Sequence, residues 1–148
     1  MNYEEIFSQF YLKETDPSLF KQSKEDAYEK MKGWLHSIAA LPHVRKAFST
    51  LILNDDIEEL EFTLVKYVDE DSDKDFVKEV FAQGMVICWM RKQIETNINL
   101  AAVIGGKEEK VMLNNYKPNI ERADALEKKL KKFIRDYGYL NNNYMGES

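Results

Sequence analysis

The chain has 148 residues, 44% hydrophobic and 32% charged, with a formal net charge of -5. That size and balance predict one folded domain over residues 1–148 and exclude a disordered chain, while the acidic excess argues against general nucleic-acid binding. Six glycines and three prolines are too few for a loop-rich sandwich or barrel. No run approaches the roughly 20 apolar residues that cross a bilayer. The start, Met1-Asn2-Tyr3-Glu4-Glu5, lacks the basic and apolar regions of a signal peptide. The expectation is a chain made and used in solution, and the single Cys88 excludes an internal disulfide and fits a reducing compartment.

Residues 3–12 carry Ile6, Phe7, Phe10 and Tyr11 on one helical stripe, which Asp16-Pro17 interrupts. Pro17 at a first helical position, with Asp16 as its cap, can open a single turn through Phe20. Ser23 and Asp26 predict a second helix start, and Ala27, Met31, Trp34, Leu35, Ile38 and Leu41 keep helical spacing up to Pro42. A short third helix is expected over 43–53. Residues 57–68 read both ways: Leu60, Phe62 and Leu64 alternate like a strand, while Ile57, Leu60, Leu64 and Tyr67 keep a helical period. Helix is preferred there, with a minor strand as the alternative. An acidic connector follows over 69–75.

Residues 76–99 form the strongest helical pattern, apolar on most sides and therefore expected at the centre of the fold. Gly84 in its middle costs about 1 kcal/mol relative to alanine, which points to close approach of another helix or to simple tolerance. Cys88 is read as a buried small hydrophobe. Gly105-Gly106 is expected to stop a helix, and 107–118 to form a loop. The last helix, 120–137, carries Ile120, Ala123, Leu126, Leu130, Phe133, Ile134 and Tyr137 on one stripe. The predicted class is all-α, a bundle of about five helices around 76–99.

No catalytic, cofactor-binding or metal-ligating constellation emerges. The acids from Asp69 would suit a calcium loop at Asp71 and Asp73, but Lys74 stands where glycine is required and Val80 where glutamate is required. Only His36 and His43 are available as bases, and no nucleophile elbow, zinc pattern or phosphate loop is present. The charge distribution says more. Ten acids lie between Asp55 and Asp75 against Lys66 and Lys74, whereas Lys128, Lys129, Lys131, Lys132 and Arg135 form a dense basic cluster. That cluster can contact nucleic acid, sit solvated at a helix C-terminus, or meet the acidic segment of another copy. Residues 138–148 are expected to be a docking or partly disordered tail, since three tyrosines, a leucine and a methionine in residues 137–145 are unusual for a free terminus.

The aromatic start with Asp16-Pro17-Ser18-Leu19-Phe20, the segment Gly84-Met85-Val86-Ile87-Cys88-Trp89 and the closing Tyr137-Gly138-Tyr139-Leu140-Asn141-Asn142 give the chain its resemblance. It resembles the small helical virion proteins of tailed bacteriophages, of the head–tail connector or adaptor type. The resemblance implies a structural, non-enzymatic protein that forms a ring of its own copies, often dodecameric, beneath a portal. It implies residence in the virion, and in the host cytoplasm during assembly; no membrane contact and no cofactor are expected from the residues. It also implies partner binding through the C-terminal segment, by Phe133, Ile134, Tyr137, Tyr139, Leu140, Tyr144 and Met145. The alternative is a stand-alone helical interaction or regulatory module, binding nucleic acid through the basic helix.

Overall fold

A computed structural model describes residues 1–14 and 24–138. Among the described residues the chain is mainly helical, with five helices and one two-stranded antiparallel sheet. The elements in order are α1 (Tyr3–Lys13), α2 (Lys24–Ala39), α3 (Pro42–Arg45), β1 (Phe48–Asn54), β2 (Glu59–Leu64), α4 (Glu70–Ile104) and α5 (Gly106–Asp136). The expected turn at 16–20 and the Ser23 cap lie outside the described residues.

Helix α1 begins at a capping box: the Asn2 side chain accepts from the Glu4 N–H, and the Glu5 carboxylate accepts from the Asn2 N–H. It buries Tyr3, Ile6, Phe7 and Phe10. Helix α2 buries Ala27, Met31, Leu35 and Ile38, as its spacing predicts. Both pack on α4, which contributes the largest share of the buried side chains, among them Phe76, Val77, Val80, Phe81 and Met85. Gly84 is where α2 approaches most closely: a Cβ there would stand 2.8 Å from the Ile38 side chain. Of the two readings of that glycine, close approach is the one realised.

Four expected elements are corrected. Residues 57–68 are not a helix; 59–64 form a strand paired with β1 from Asn54↔Glu59 to Phe48↔Leu64. The period of two wins because Leu60 and Leu64 are buried, while Ile57 and Tyr67, which the helical reading needed, are exposed. The helix expected over 43–53 ends at Arg45, and the β-rich run Phe48-Ser49-Thr50-Leu51-Ile52 becomes β1. The acidic connector is itself helical: Asp69 accepts from the backbone N–H and hydroxyl of Ser72, so α4 starts at Glu70 and runs on to Ile104 rather than spanning 76–99.

The fourth correction concerns 107–118, which is the first part of α5 and not a loop. Half-buried Met112, Tyr116 and Ile120 continue the stripe through Ala123, Leu126 and Leu130. Pro118 removes one donor, but the carbonyl it deprives belongs to Asn114, an exposed position where water can satisfy it. Gly105 and Gly106, at φ of 72° and 68°, make the turn between α4 and α5. The two long helices form an antiparallel hairpin, cross-tied by Arg91 to Asp124 and Glu127. Beyond Ile94 only Ala101 of α4 is buried, so the last ten residues of α4 carry the hairpin about 15 Å past the core as an arm.

Candidate interaction site

Leu41 is extended and Pro42 occupies the first turn of α3, so this one-turn helix swings the chain from α2 into β1. The swing lays His43 and Lys46 beside Lys131 and Arg135 of α5, next to the end of β2 at Leu64, Val65 and Lys66. Between them lies a cleft of about 340 Å³. Its floor is apolar, built from Leu64, Phe76, Ile134 and Tyr137, and its walls carry His43, Lys46, Lys66, Lys131 and Arg135. Among the described residues that line it there is no carboxylate. Burial holds the His43 imidazole below its usual range, the nearby Lys131 ammonium lowers it further, and Glu127 opposes them.

Tyr137 closes one end. Its ring stacks on Phe76 with centroids 3.8 Å apart and planes 13° from parallel, and Phe133 packs on the same ring at 5.2 Å. The Tyr137 hydroxyl donates to Asp73 at 2.6 Å, and burial followed by this carboxylate pushes its pKa up. Asp73 also accepts from the Val68 N–H at 3.0 Å. Acids of the run that invites a calcium reading thus cap a helix and hold the C-terminal segment. Among the described residues no group of three or more His, Cys, Asp or Glu is placed to hold a metal.

A second, larger groove of about 770 Å³ shares His43, Lys46 and Lys131 with the cleft and has Trp34, Ile87 and Cys88 in its lining. Cys88 is half-buried on this surface rather than sealed in the core, and burial, then Glu127, push its thiol up to about 11. The two histidines serve different ends of the fold. His36 Nε2 lies 2.9 Å from both Asp55 carboxylate oxygens, and the Tyr3 hydroxyl donates to the same carboxylate at 2.7 Å.

The predicted basic cluster is divided by the helix it lies on. Lys128, Lys129, Lys131, Lys132 and Arg135 are all exposed, but only Lys131 and Arg135 line the cleft. Lys129 faces the other side, in a depression with Glu14, Glu79 and Arg122. Of the predicted docking residues, Phe133, Ile134 and Tyr137 are half-buried against the core. Tyr139, Leu140, Tyr144 and Met145 lie outside the described residues. Lys46 and Lys66 are not legible as site residues, because Lys46 follows the end of α3 and Lys66 the end of β2, where the sequence predicts continuing helix.

No helix among the described residues is long and apolar enough to cross a membrane. Comparison with protein-family models, with curated proteins and with solved structures gives no match, so the functional reading rests on the resemblance and the geometry above.

Proposed function

We propose that the chain is a structural assembly protein of the head–tail connector, or adaptor, type. It oligomerises and docks on other virion proteins, such as a portal, through its C-terminal helix and tail, in the virion and in the host cytoplasm during assembly. The observation that supports this reading best is the α4–α5 arm. Around its closed end Ile98, Leu100, Val103, Ile104, Val111 and Leu113 are exposed, Val103 to 84%. A concentration of exposed large aliphatics at one end of a helical hairpin supports a protein contact there. From that arm α5 returns to the core, where Tyr137 is clamped at the edge of the cationic cleft.

The test is the solution mass, by light scattering, of three proteins: the full chain, Val103→Glu combined with Val111→Glu, and a chain ending at Gly138. The expected result is an assembly for the full chain and a lower mass for both variants, with unchanged circular dichroism. Monomers in all three cases at high concentration, with candidate partners present, would overturn the reading.

A further inference from the structure

The two ends of the β-hairpin are complementary in charge. At the closed end, residues 55–61 hold five carboxylates, Asp55, Asp56, Glu58, Glu59 and Glu61, around Ile57, which is 59% exposed. The neighbouring Ile52, paired with Glu61 across the strands, is 51% exposed. At the open end, Leu64 is the last residue of β2 and forms part of the floor of the cleft whose walls carry His43, Lys46, Lys131 and Arg135.

The turn is held rigidly for an exposed loop. Tyr3 N–H donates to the Glu58 carbonyl at 2.9 Å, and Leu60 N–H donates to the Met1 carbonyl at 2.7 Å. The Met1 ammonium donates to the Leu60 carbonyl at 2.7 Å. Asp55 is gripped by Tyr3 and His36, Glu58 pairs with Lys32 at 3.3 Å, and Asp56 N–H donates to the Asn54 side chain. These contacts keep Glu58 at a φ of 53°, the left-handed region that a non-glycine residue adopts only when its surroundings impose it. Ile57 is therefore presented on a fixed support, with Asp56, Glu59 and Glu61 exposed around it.

The geometry points to a head-to-tail contact in which the Asp56-Ile57 knob of one copy, flanked by Glu59 and Glu61, seats in the Lys46–Lys131–Arg135 cleft of a second copy. This inference rests on the assembly reading and names the surface through which copies would join. Three observations choose the occupant. The charges are opposite, with carboxylates at the knob and cations in the cleft. Ile57 has an apolar floor to meet, formed by Leu64, Phe76 and Ile134. Finally, the knob cannot reach its own cleft, because five residue steps of β2 separate the two ends by about 17 Å. A contact between different surfaces at opposite ends of one element is heterologous, and repetition of it closes a ring or extends a filament. The charges on Lys131 and Arg135 already have partial local counterparts, since Glu127 lies nearby and Arg135 donates to Asp136 at 3.3 Å. Both carboxylates are on α5 itself, and neither lines the cleft.

The experiment uses full chains carrying Cys88→Ala. One protein also carries Ile57→Cys, a second carries Lys46→Cys, and a control carries Lys30→Cys on the exposed side of α2. Under mild oxidation, the Ile57→Cys and Lys46→Cys proteins are expected to form a mixed disulfide roughly tenfold faster than either forms one with the control, because the contact raises the local concentration. In parallel, Glu61→Lys should lower the solution mass, and adding Lys131→Glu should restore it. Assemblies that persist with no preferred mixed disulfide and no effect of Glu61→Lys would overturn this contact while leaving the assembly reading in place. Monomers throughout, with no preferred disulfide, would overturn both.

Discussion

Tyr137 lies flat on Phe76, ring over ring at 3.8 Å, and its hydroxyl reaches Asp73 in the first turn of the same helix. This pair fixes where the described C-terminal segment leaves the core. The adjoining Gly138 is at φ 72°, and a Cβ there would stand 3.0 Å from the Lys66 carbonyl oxygen. The exit is therefore defined by one aromatic stack and one glycine.

Tyr137→Phe keeps the stack and loses the hydrogen bond to a carboxylate, so it should cost about 1–2 kcal/mol of stability. Tyr137→Ala removes both and should cost about 3 kcal/mol. Denaturant unfolding checks the order. Equal effects of the two substitutions would mean that the stack contributes little.

Gly84→Ala gains about 1 kcal/mol of helix propensity but drives a methyl to 2.8 Å from Ile38, whose side chain is fully buried. Overpacking of this kind costs about 1–3 kcal/mol, so the net effect should be a lowered melting temperature. Adding Ile38→Val should recover part of the loss. Thermal unfolding of the single and double variants measures the coupling.

The Asp55 carboxyl is held below its usual range, first by the hydrogen bond from Tyr3 and then by the one from His36. A depressed folded-state pKa stabilises above the unfolded value, and that stabilisation is lost as pH falls through the folded value. Asp55 is nearly half exposed, so solvent screening limits the effect to about 1 kcal/mol or less. Asp55→Asn should be less stable than wild type at pH 6–7, and the difference should shrink as pH falls below about 4. At the alkaline end, the hydroxyls of Tyr3, Tyr28 and Tyr137 are pushed up, Tyr28 to about 12, in each case first by burial and then by a bonded carboxylate. Stability from these groups should hold below about pH 10 and decline above it. Unfolding measured across pH tests both limits.

Cys88 should react with iodoacetamide at pH 8 roughly a hundredfold more slowly than an ordinary thiol, because its pKa has risen from 9.0 to about 11. Denaturant should restore the ordinary rate. A fast reaction in the native protein would mean that the groove does not shelter the sulfur as described.

The parts of the fold legible in the sequence are those where one period was unopposed. Phe76 to Trp89 and the Leu126-Leu130-Phe133-Tyr137 stripe are examples. The β-hairpin was missed because its turn has no Asn-Gly or Asp-Gly signal: the left-handed residue is Glu58, held there by contacts with the N-terminus rather than by its own preference. The first half of α5 is not legible because Gly105-Gly106 signals a helix stop and Pro118 a second break, although Met112, Tyr116 and Ile120 keep a continuous stripe. Within the site, Lys131 and Arg135 were legible as charges. That they part company with Lys129 follows from how α5 rolls against α4, and the partners His43 and Lys46 arrive by tertiary turns that no local pattern encodes.

Sedimentation of the full chain over a dilution series, at low and at high salt, is the decisive measurement of the proposed assembly. Species heavier than the monomer are expected, in a population that grows with concentration and falls with added salt, because the proposed contact joins opposite charges. A single monomeric species at every concentration and salt, with no heavier species when candidate partners are added, would contradict it.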